Sequence, residues 1–170
     1  GENASGMAVA SESCALDSCG FSFVRDIRPG EVVLIENGKV THSELCLRST
    51  QQSLCVFEYV YFSRPDSVID GLSVYEARLN MGRMLAREHP VEADVVCGVP
   101  DSGLEAAMGY SLESGIPMGT AFVKNRYIGR SFIFPTQAQR ENAVTLKLNP
   151  LRAAVEGKRV VLVDDSIVRG

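Results

Sequence analysis

The sequence lacks several features that would place it in a common protein class. It has no surplus of basic residues, with 17 Lys and Arg against 21 Asp and Glu and a formal charge of −4. Proteins that bind nucleic acids non-specifically need such a surplus to release counterions from phosphates, so the charge argues against that class. No apolar run approaches the roughly 20 residues of a membrane span, and no segment suits a secretory signal.

The cysteines do not form a recognisable framework. There are five, an odd number, and none belongs to a Cys-x-x-Cys pair. A disulfide scaffold or a self-contained zinc site is therefore disfavoured. Reduced thiols without an export signal favour the cytoplasm. We expect no nucleic-acid partner and no membrane partner, and any phosphate ligand is expected to be a small molecule.

The composition is that of a soluble globular chain, with 45% hydrophobic and 22% charged residues. The pattern changes near residue 50. Before it, Glu31–Ile35 and Lys39–Thr41 are β-rich runs on either side of Asn37-Gly38, a dipeptide that accepts the positive φ angles of a type I′ turn. This region predicts a hairpin in a small antiparallel sheet.

From residue 53 onward, β-rich and helical patterns alternate. Strands are predicted over residues 53–62, 94–99, 118–123 and 158–164, and helices over 73–88, 104–114 and, in pieces, 137–154. Such alternation predicts right-handed βαβ units and a parallel sheet. The continuous apolar run of residues 94–99 is typical of a strand that is buried on both faces.

Two adjacent carboxylates follow the last predicted strand. Asp164 and Asp165 come directly after Val160–Val163, and open α/β sheets bind ligands beyond the carboxyl ends of their strands. Adjacent carboxylates are costly to bury, so a cation, a pair of hydroxyls or water should face them. The small residues Ser166 and Gly170 suit a loop whose N–H groups wrap a phosphate. The alternative is that acidic residues end this strand only for solubility.

Residues 161–170 resemble the phosphoribosyl-pyrophosphate signature of type I phosphoribosyltransferases, in the variant of the amidophosphoribosyltransferase family. Further segments resemble that family in the same order, at residues 58–67, 98–103 and 124–130. Residues 10–17 and 29–31 resemble the closing strands of the family's glutaminase domain. The resemblance implies an α/β fold class, with an incomplete parallel-sheet phosphoribosyltransferase-type domain after antiparallel strands from the end of an N-terminal-nucleophile hydrolase domain.

The resemblance also implies a domain division. We expect residues 1–50 to be the C-terminal part of the glutaminase domain and residues 51–170 the N-terminal part of the phosphoribosyltransferase domain. Family members begin with a catalytic cysteine, whereas this chain begins with Gly1 inside that domain and stops at Gly170 inside the phosphate loop. We therefore expect a fragment that is inactive alone.

The activity that the resemblance implies is the first step of de novo purine biosynthesis. Ammonia from glutamine attacks C1 of phosphoribosyl pyrophosphate and gives 5-phosphoribosylamine. The residues expected to be catalytic are Asp164, Asp165, Lys124, Arg126, Tyr127 and Arg130. The residues expected to bind substrate are Pro100, Asp101, Ser102, Gly103, Ser166, Ile167, Val168, Arg169 and Gly170.

Each of these roles has a simpler alternative. The carboxylate pair would orient the ribose hydroxyls and stabilise positive charge at C1. Residues 124–130 would close over a polyanion as a lid, or would be an ordinary solvated basic loop. Asp101 or Ser102 would contact pyrophosphate, or would only cap the following helix.

Two cofactors and several partners are implied. Magnesium would be held by Ser102, Asp164 and Asp165. Cys55 lies where iron–sulfur members have one ligand of a four-iron, four-sulfur cluster, and the other ligands would lie outside this chain. A buried structural thiol is the alternative for Cys55. The expected partners are phosphoribosyl pyrophosphate, glutamine, purine nucleotides as feedback inhibitors, and further copies in a homo-oligomer such as a tetramer.

Two other function classes are compatible with part of the pattern. A signalling receiver domain also has an acidic pair after an apolar strand, but its pair lies near the start of the domain, with over a hundred residues following it. A non-catalytic regulator with the same fold would bind phosphoribosyl pyrophosphate without turnover. Formation of phosphoribosylamine by the intact protein would distinguish the enzyme from the regulator.

Overall fold

The computed structural model describes residues 1–46, 53–127 and 136–167. The chain divides into two compact units, Gly1–Ala77 and Arg78–Gly170. All five cysteines fall inside the described ranges and carry free thiols. None of the helices in these ranges is both long enough and apolar enough to cross a membrane. The expected domain division near residue 50 stays a prediction.

The first unit is built from short antiparallel strand pairs and small helices. Its elements are β1 (Glu2–Asn3), β2 (Gly6–Met7), α1 (Ser13–Ser18), β3 (Glu31–Glu36), β4 (Lys39–Leu45), a π-helix (Glu58–Phe62), β5 (Val68–Ile69), β6 (Leu72–Ser73) and the start of α2 (Val74–Glu88). The pairs are β1 with β2, β3 with β4, and β5 with β6. The predicted hairpin is confirmed, because Asn37 and Gly38 join β3 to β4 with φ angles of 50° and 74°.

The strand predicted over residues 53–62 is wrong. Glu58–Phe62 form a π-helix, in which the N–H of Ser63 donates to the Glu58 carbonyl at 3.1 Å. Tyr59 is buried against Val74, and its hydroxyl donates to the Ile69 carbonyl at 2.8 Å. Burial of this side chain together with a satisfied hydroxyl outweighs the β propensity of the surrounding aromatic and branched residues.

Two segments that carry the family resemblance contact each other inside the first unit. Glu12 Oε2 accepts hydrogen bonds from the N–H of Arg64 at 2.9 Å and from Ser67 Oγ at 2.8 Å. Ser13 Oγ accepts from the N–H of Val68 at 2.8 Å. The start of α1 is therefore attached by side chains to a loop more than 50 residues further along the chain.

Glu31 at the start of β3 is the most heavily bonded carboxylate of this unit. Its side chain has 0% exposure, and its oxygens accept from both terminal nitrogens of Arg25 at 2.6 and 2.9 Å. Ser43 Oγ donates to it at 2.6 Å and the Arg28 N–H at 2.8 Å. The hydrogen bond from Arg25 is the largest cause of a pKa far below the usual value for Glu31.

This low pKa makes the stability of the first unit dependent on pH. A carboxyl whose pKa is lowered by folding contributes stability that is complete above its unfolded pKa, roughly 4.3, and that is lost as the pH falls toward the folded value. We expect Glu31→Gln to lower the free energy of unfolding at pH 7. The difference in free energy of unfolding between this variant and the unsubstituted chain should become smaller below about pH 4. Urea unfolding from pH 3 to pH 7 measures this, with the exposed Glu36→Gln as control. An equal loss of stability at every pH would contradict the assignment.

The second unit contains the parallel sheet. After the rest of α2 its elements are β7 (Val95–Gly98), α3 (Leu104–Ser114), β8 (Met118–Gly119), β9 (Phe122–Lys124), α4 (Gln137–Lys147), β10 (Leu148–Pro150), α5 (Arg152–Val155) and β11 (Val160–Val163). Three parallel strands lie in the order β11-β7-β8, and β9 pairs antiparallel with β10. The predicted helices over residues 73–88 and 104–114 are confirmed, whereas the single strand predicted over residues 118–123 is two strands.

The central strand β7 is buried on both faces, as its apolar run predicts. Val96 packs on one face in a core with the helix residues Ala86, Ala107 and Tyr110. Val95 and Cys97 pack on the other face in a core with Ala121. Successive side chains of a strand alternate between faces, so two separate cores on one strand require layers on both sides of the sheet.

Candidate functional site

The carboxyl ends of β7 and β11 lie side by side at one edge of the parallel sheet. Gly98 pairs with Val163, and the N–H of Val99 extends the ladder by donating to the Val163 carbonyl at 2.9 Å. The loops that follow these strands, residues 99–103 and 164–167, therefore start next to each other. This is the edge at which open parallel sheets bind ligands.

The loop after β7 is short and closely packed. The peptide bond between Pro100 and Asp101 is cis, and α3 begins at Leu104. The N-cap position of α3 is Gly103, which has no side chain to cap the helix. Ser102 Oγ instead donates to Asp165 Oδ2, and Asp101 contacts Lys124. Both side chains therefore contact the other loops of the site, and the capping alternative for Asp101 and Ser102 is not observed.

The two carboxylates of the pair have different surroundings. Asp165 is partly buried and accepts from Ser102 Oγ on one oxygen and from Ser166 Oγ, at 2.5 Å, on the other. Asp164 is exposed, and its Oδ1 accepts from the N–H of Asp165 at 2.9 Å. Desolvation by neighbouring atoms, followed by the negative charge of Asp165, raises the pKa of Asp164, although the backbone hydrogen bond opposes this. A cation beside the pair would relieve both unfavourable contributions.

The described part of residues 124–130 contributes one cation to the site. Lys124 ends β9, and its Nζ lies 2.5 Å from Asp101 Oδ2. The N–H of Asn125 donates to the Lys147 carbonyl at 2.7 Å, which fixes the chain directly after the strand. Arg126 is exposed and Tyr127 is 99% exposed, and within the described ranges neither side chain bonds to the two loops. Arg130 lies outside the described residues.

The structure thus brings together eight of the sixteen residues that the sequence singles out. Around the ends of β7, β9 and β11 it places Pro100, Asp101, Ser102, Gly103, Lys124, Asp164, Asp165 and Ser166. Ile167 points away from protein contacts with 92% exposure. Val168, Arg169 and Gly170 lie outside the described residues. The pairing of Lys124 with Asp101 is the feature that sequence reasoning missed, because nothing in the sequence marks a contact between residues 23 positions apart.

The expected cofactors fit this chain to different degrees. The oxygen atoms of Ser102, Asp164 and Asp165 are the donor type that magnesium prefers. Cys55 lies in the first unit and is exposed in this chain. Within the described ranges no group of three or more His, Cys, Asp and Glu side chains could hold a metal. A four-iron cluster needs about four thiolates, so these residues do not fit it.

A cavity of about 730 Å³ lies in the first unit and does not involve the carboxylate pair. Its walls are mainly apolar, with Glu12, Arg25 and Glu58 among the polar lining residues. Ser63 Oγ donates to Glu58 at 3.0 Å, and Glu12 and Arg25 take part in the hydrogen bonds described above. These polar groups have internal partners, so the loops at the edge of the parallel sheet remain the stronger candidate site.

Comparison with known proteins identifies relatives of this chain. No family model matches the chain. Curated relatives named amidophosphoribosyltransferase match it along almost its whole length. The relative from Archaeoglobus fulgidus is 54% identical over 165 residues, which are 97% of this chain and 36% of the relative. The relative from Bacillus subtilis is 55% identical over 162 residues, which are 95% of this chain and 34% of the relative.

Solved structures agree in fold as well as in sequence. A structure of glutamine phosphoribosylpyrophosphate amidotransferase from Bacillus subtilis, complexed with ADP and GMP, has a TM-score of 0.82 at 53% identity, with 93% of this chain and 34% of that chain covered. A structure described as the allosteric regulatory enzyme of purine biosynthesis gives the same TM-score and identity. The chain therefore spans about a third of the length of its relatives.

Proposed function

Because the chain belongs to the amidophosphoribosyltransferase family as a segment of about a third of its relatives' length, we propose that it supplies the phosphoribosyl-pyrophosphate site of such an enzyme. In the proposed reaction, ammonia derived from glutamine forms a bond to C1 of the ribose. The bond from C1 to the pyrophosphate oxygen breaks, and pyrophosphate leaves. The nitrogen then loses one proton, so the products are 5-phosphoribosylamine, pyrophosphate and a proton, and the reaction is the first step of purine biosynthesis.

The observation that carries this proposal is that the two loops after the parallel strands contact each other, and that the end of β9, from a separate two-stranded sheet, contacts one of them. The pair Asp164 and Asp165 follows β11, residues 100–103 follow the adjacent strand β7, and Lys124 ends β9. A ribose needs hydroxyl acceptors, and its leaving group needs donors and a cation. Loops from different strands supply these groups at a distance that one substrate can span.

The proposed roles follow from the chemistry of each group. Asp164 and Asp165 accept hydrogen bonds from the ribose hydroxyls and stabilise the positive charge that develops at C1 as the leaving group departs. Lys124 and the backbone of residues 100–103 face the pyrophosphate. Arg126, Tyr127 and Arg130 complete a lid over it, and residues 166–170 hold the 5′-phosphate through backbone N–H groups.

Magnesium would be held by Asp164, Asp165 and Ser102, where it would neutralise charge on the pyrophosphate. The preference of this place for a cation is supported by the raised pKa of Asp164, which reflects desolvation and the neighbouring negative charge. The ordering of Asp165 by two hydroxyls supports a fixed ligand position. An iron–sulfur cluster bound through Cys55 is proposed only for the longer protein, with its other ligands outside this chain.

Nucleotide regulation and assembly are also part of the proposal. The similar Bacillus subtilis enzyme was solved with ADP and GMP bound. We propose that purine nucleotides inhibit the longer protein, that glutamine is its ammonia source, and that it assembles into a homo-oligomer in the cytoplasm.

The proposal is tested by assaying the protein at the full length of its relatives. We expect magnesium, phosphoribosyl pyrophosphate and an ammonium salt to give phosphoribosylamine and pyrophosphate in equal amounts. Ammonium removes any dependence on the glutaminase half, so the assay reports on the site described here. Binding of phosphoribosyl pyrophosphate without product would favour the non-catalytic regulator instead, and absence of binding would contradict the site.

A further inference from the structure

The positive charge of Lys124, which a polyphosphate would need as a partner, is already paired with Asp101. Lys124 Nζ lies 2.5 Å from Asp101 Oδ2, and the Lys124 side chain is 24% exposed against 62% for Asp101. The ammonium is therefore held toward the loop after β7 by a carboxylate that itself faces solvent. A ligand that binds the ammonium must replace this carboxylate as its partner.

The charges of the described loops make this pairing important for the binding of an anion. Asp101, Asp164 and Asp165 are three carboxylates, whereas Lys124 is the one cation that contacts these loops within the described ranges. The site is therefore net negative before any ligand or metal binds. An anion with several charges is attracted only if Lys124 exchanges its carboxylate partner for a phosphate oxygen.

We propose that Asp101 is a placeholder for the pyrophosphate group: it holds Lys124 in position in the free protein and is displaced from Lys124 by a phosphate oxygen when substrate binds. This inference rests on the proposed function, because it assumes that a polyphosphate enters this site. Asp101 is a positioning residue in this account, since it acts through Lys124. It lowers the affinity for the anion, because its ion pair must break before Lys124 changes partner.

Two effects of removing Asp101 oppose each other, and their sizes decide the sign. Loss of the carboxylate frees the long side chain of Lys124, whose ordering then costs binding energy. The net free energy of an ion pair already includes the cost of ordering its side chains. Breaking the pair between Lys124 and Asp101 therefore costs more binding free energy than ordering a free Lys124. Repulsion between Asp101 and the anion adds to that cost. For a partly exposed pair we expect Asp101→Asn to tighten pyrophosphate binding by about fivefold.

The experiment titrates the 170-residue chain with inorganic pyrophosphate in the absence of magnesium, followed by ¹H–¹⁵N NMR. Chemical shifts report dissociation constants in the millimolar range, and the spectrum itself shows whether each variant is folded. Asp101→Asn should bind about fivefold more tightly than the unsubstituted chain, whereas Asp101→Glu, which keeps the charge, should stay within about twofold. Asp66→Asn breaks the exposed Arg64–Asp66 ion pair of the first unit, 2.8 Å long, and is the matched control expected to change nothing.

A double-mutant cycle separates the placeholder from simple repulsion. In a Lys124→Met background the effect of Asp101→Asn should fall to about twofold or less, because no ammonium remains to be released. An effect of the same size with and without Lys124, or no tightening in the chain that keeps Lys124, would overturn the inference while leaving the site intact. If no variant binds pyrophosphate at all, the inference fails, and the assay of the longer protein with magnesium decides the proposed function separately.

Discussion

We expect Asp164→Asn and Asp165→Asn, made separately in a protein of the relatives' full length, each to lower ammonia-dependent phosphoribosylamine formation by roughly 100- to 1,000-fold. The amide keeps the size of the carboxylate but removes the charge that, in the proposed reaction, faces the developing positive charge at C1. Loss of one preorganised electrostatic contact of this kind typically costs about 3 to 4 kcal/mol of transition-state stabilisation. Steady-state rates with saturating ammonium measure the loss.

The two variants should differ in their secondary effects. Asp165 accepts from Ser102 in the other loop and from Ser166 in its own loop, and an amide keeps only one accepting oxygen for these two hydroxyls, so its replacement weakens the contact between the loops. Asp164 has no such side-chain donor within the described ranges, and its replacement should leave the loops in place. We therefore expect Asp165→Asn to raise the KM for phosphoribosyl pyrophosphate more than Asp164→Asn does.

The opposite end of the same two strands offers a matched control. Asp94 precedes β7 and accepts from Arg159, which precedes β11, at 3.1 Å. Asp94→Asn removes a carboxylate from the same strand pair without changing the loops that follow β7 and β11, so the rate should change by less than about twofold. Glutaminase activity should persist in all three variants. Rates near the unsubstituted level for both Asp164→Asn and Asp165→Asn would remove the carboxylate pair from the mechanism.

Much of the second unit follows from sequence pattern because local and tertiary preferences agree there. The apolar runs of β7 and β11 are short, continuous and followed by polar loops, which is the pattern of parallel strands buried on both faces. Once those strands are adjacent and parallel, Ser102 and Asp165 must share an edge of the sheet. The sequence therefore predicts the end of the sheet at which the structure places the candidate site.

The structure of the first unit is less predictable from the sequence, because it depends on contacts between residues that lie far apart in the chain. Glu58–Phe62 have the composition of a strand, yet they form a π-helix that is fixed by burial of Tyr59 and its bond to Ile69. The sequence alone marks Glu31 as an ordinary polar residue of a hairpin, although its side chain has 0% exposure and accepts hydrogen bonds from Arg25 and Ser43. Such contacts depend on which side chains the fold brings together, and the spacing of residue types along the sequence does not indicate them.

Gly103→Ala should disturb the site through the backbone rather than through a lost side chain. A Cβ at Gly103 would lie 2.4 Å from the Val163 carbonyl oxygen and 2.9 Å from that of Val99. Both obstacles are backbone atoms at the ends of β11 and β7, so neither can rotate away as a side chain would. Either the loop after β7 or the end of a strand must move.

The consequence should appear in both stability and activity. Overpacking of this kind typically costs about 1 to 3 kcal/mol, and the displaced loop would separate Ser102 from Asp165. We expect the KM for phosphoribosyl pyrophosphate to rise at least tenfold in the longer protein, because a shift of about 1 Å in a positioning loop is costly. Denaturant unfolding and steady-state kinetics on the same preparation measure the two effects.

Gly157→Ala separates loss of the site from loss of stability. Gly157 has a φ of 73° and no atom within 4 Å of an added Cβ, so alanine there is strained but does not collide with anything. Gly157→Ala should cost about 1 to 2 kcal/mol of stability. It should leave the KM unchanged, because Gly157 does not contact the loops that follow β7 and β11. If both variants raise the KM in proportion to their loss of stability, the effect of Gly103→Ala is general destabilisation. If only Gly103→Ala raises it, the contact between the loop and the end of β11 is what positions the substrate.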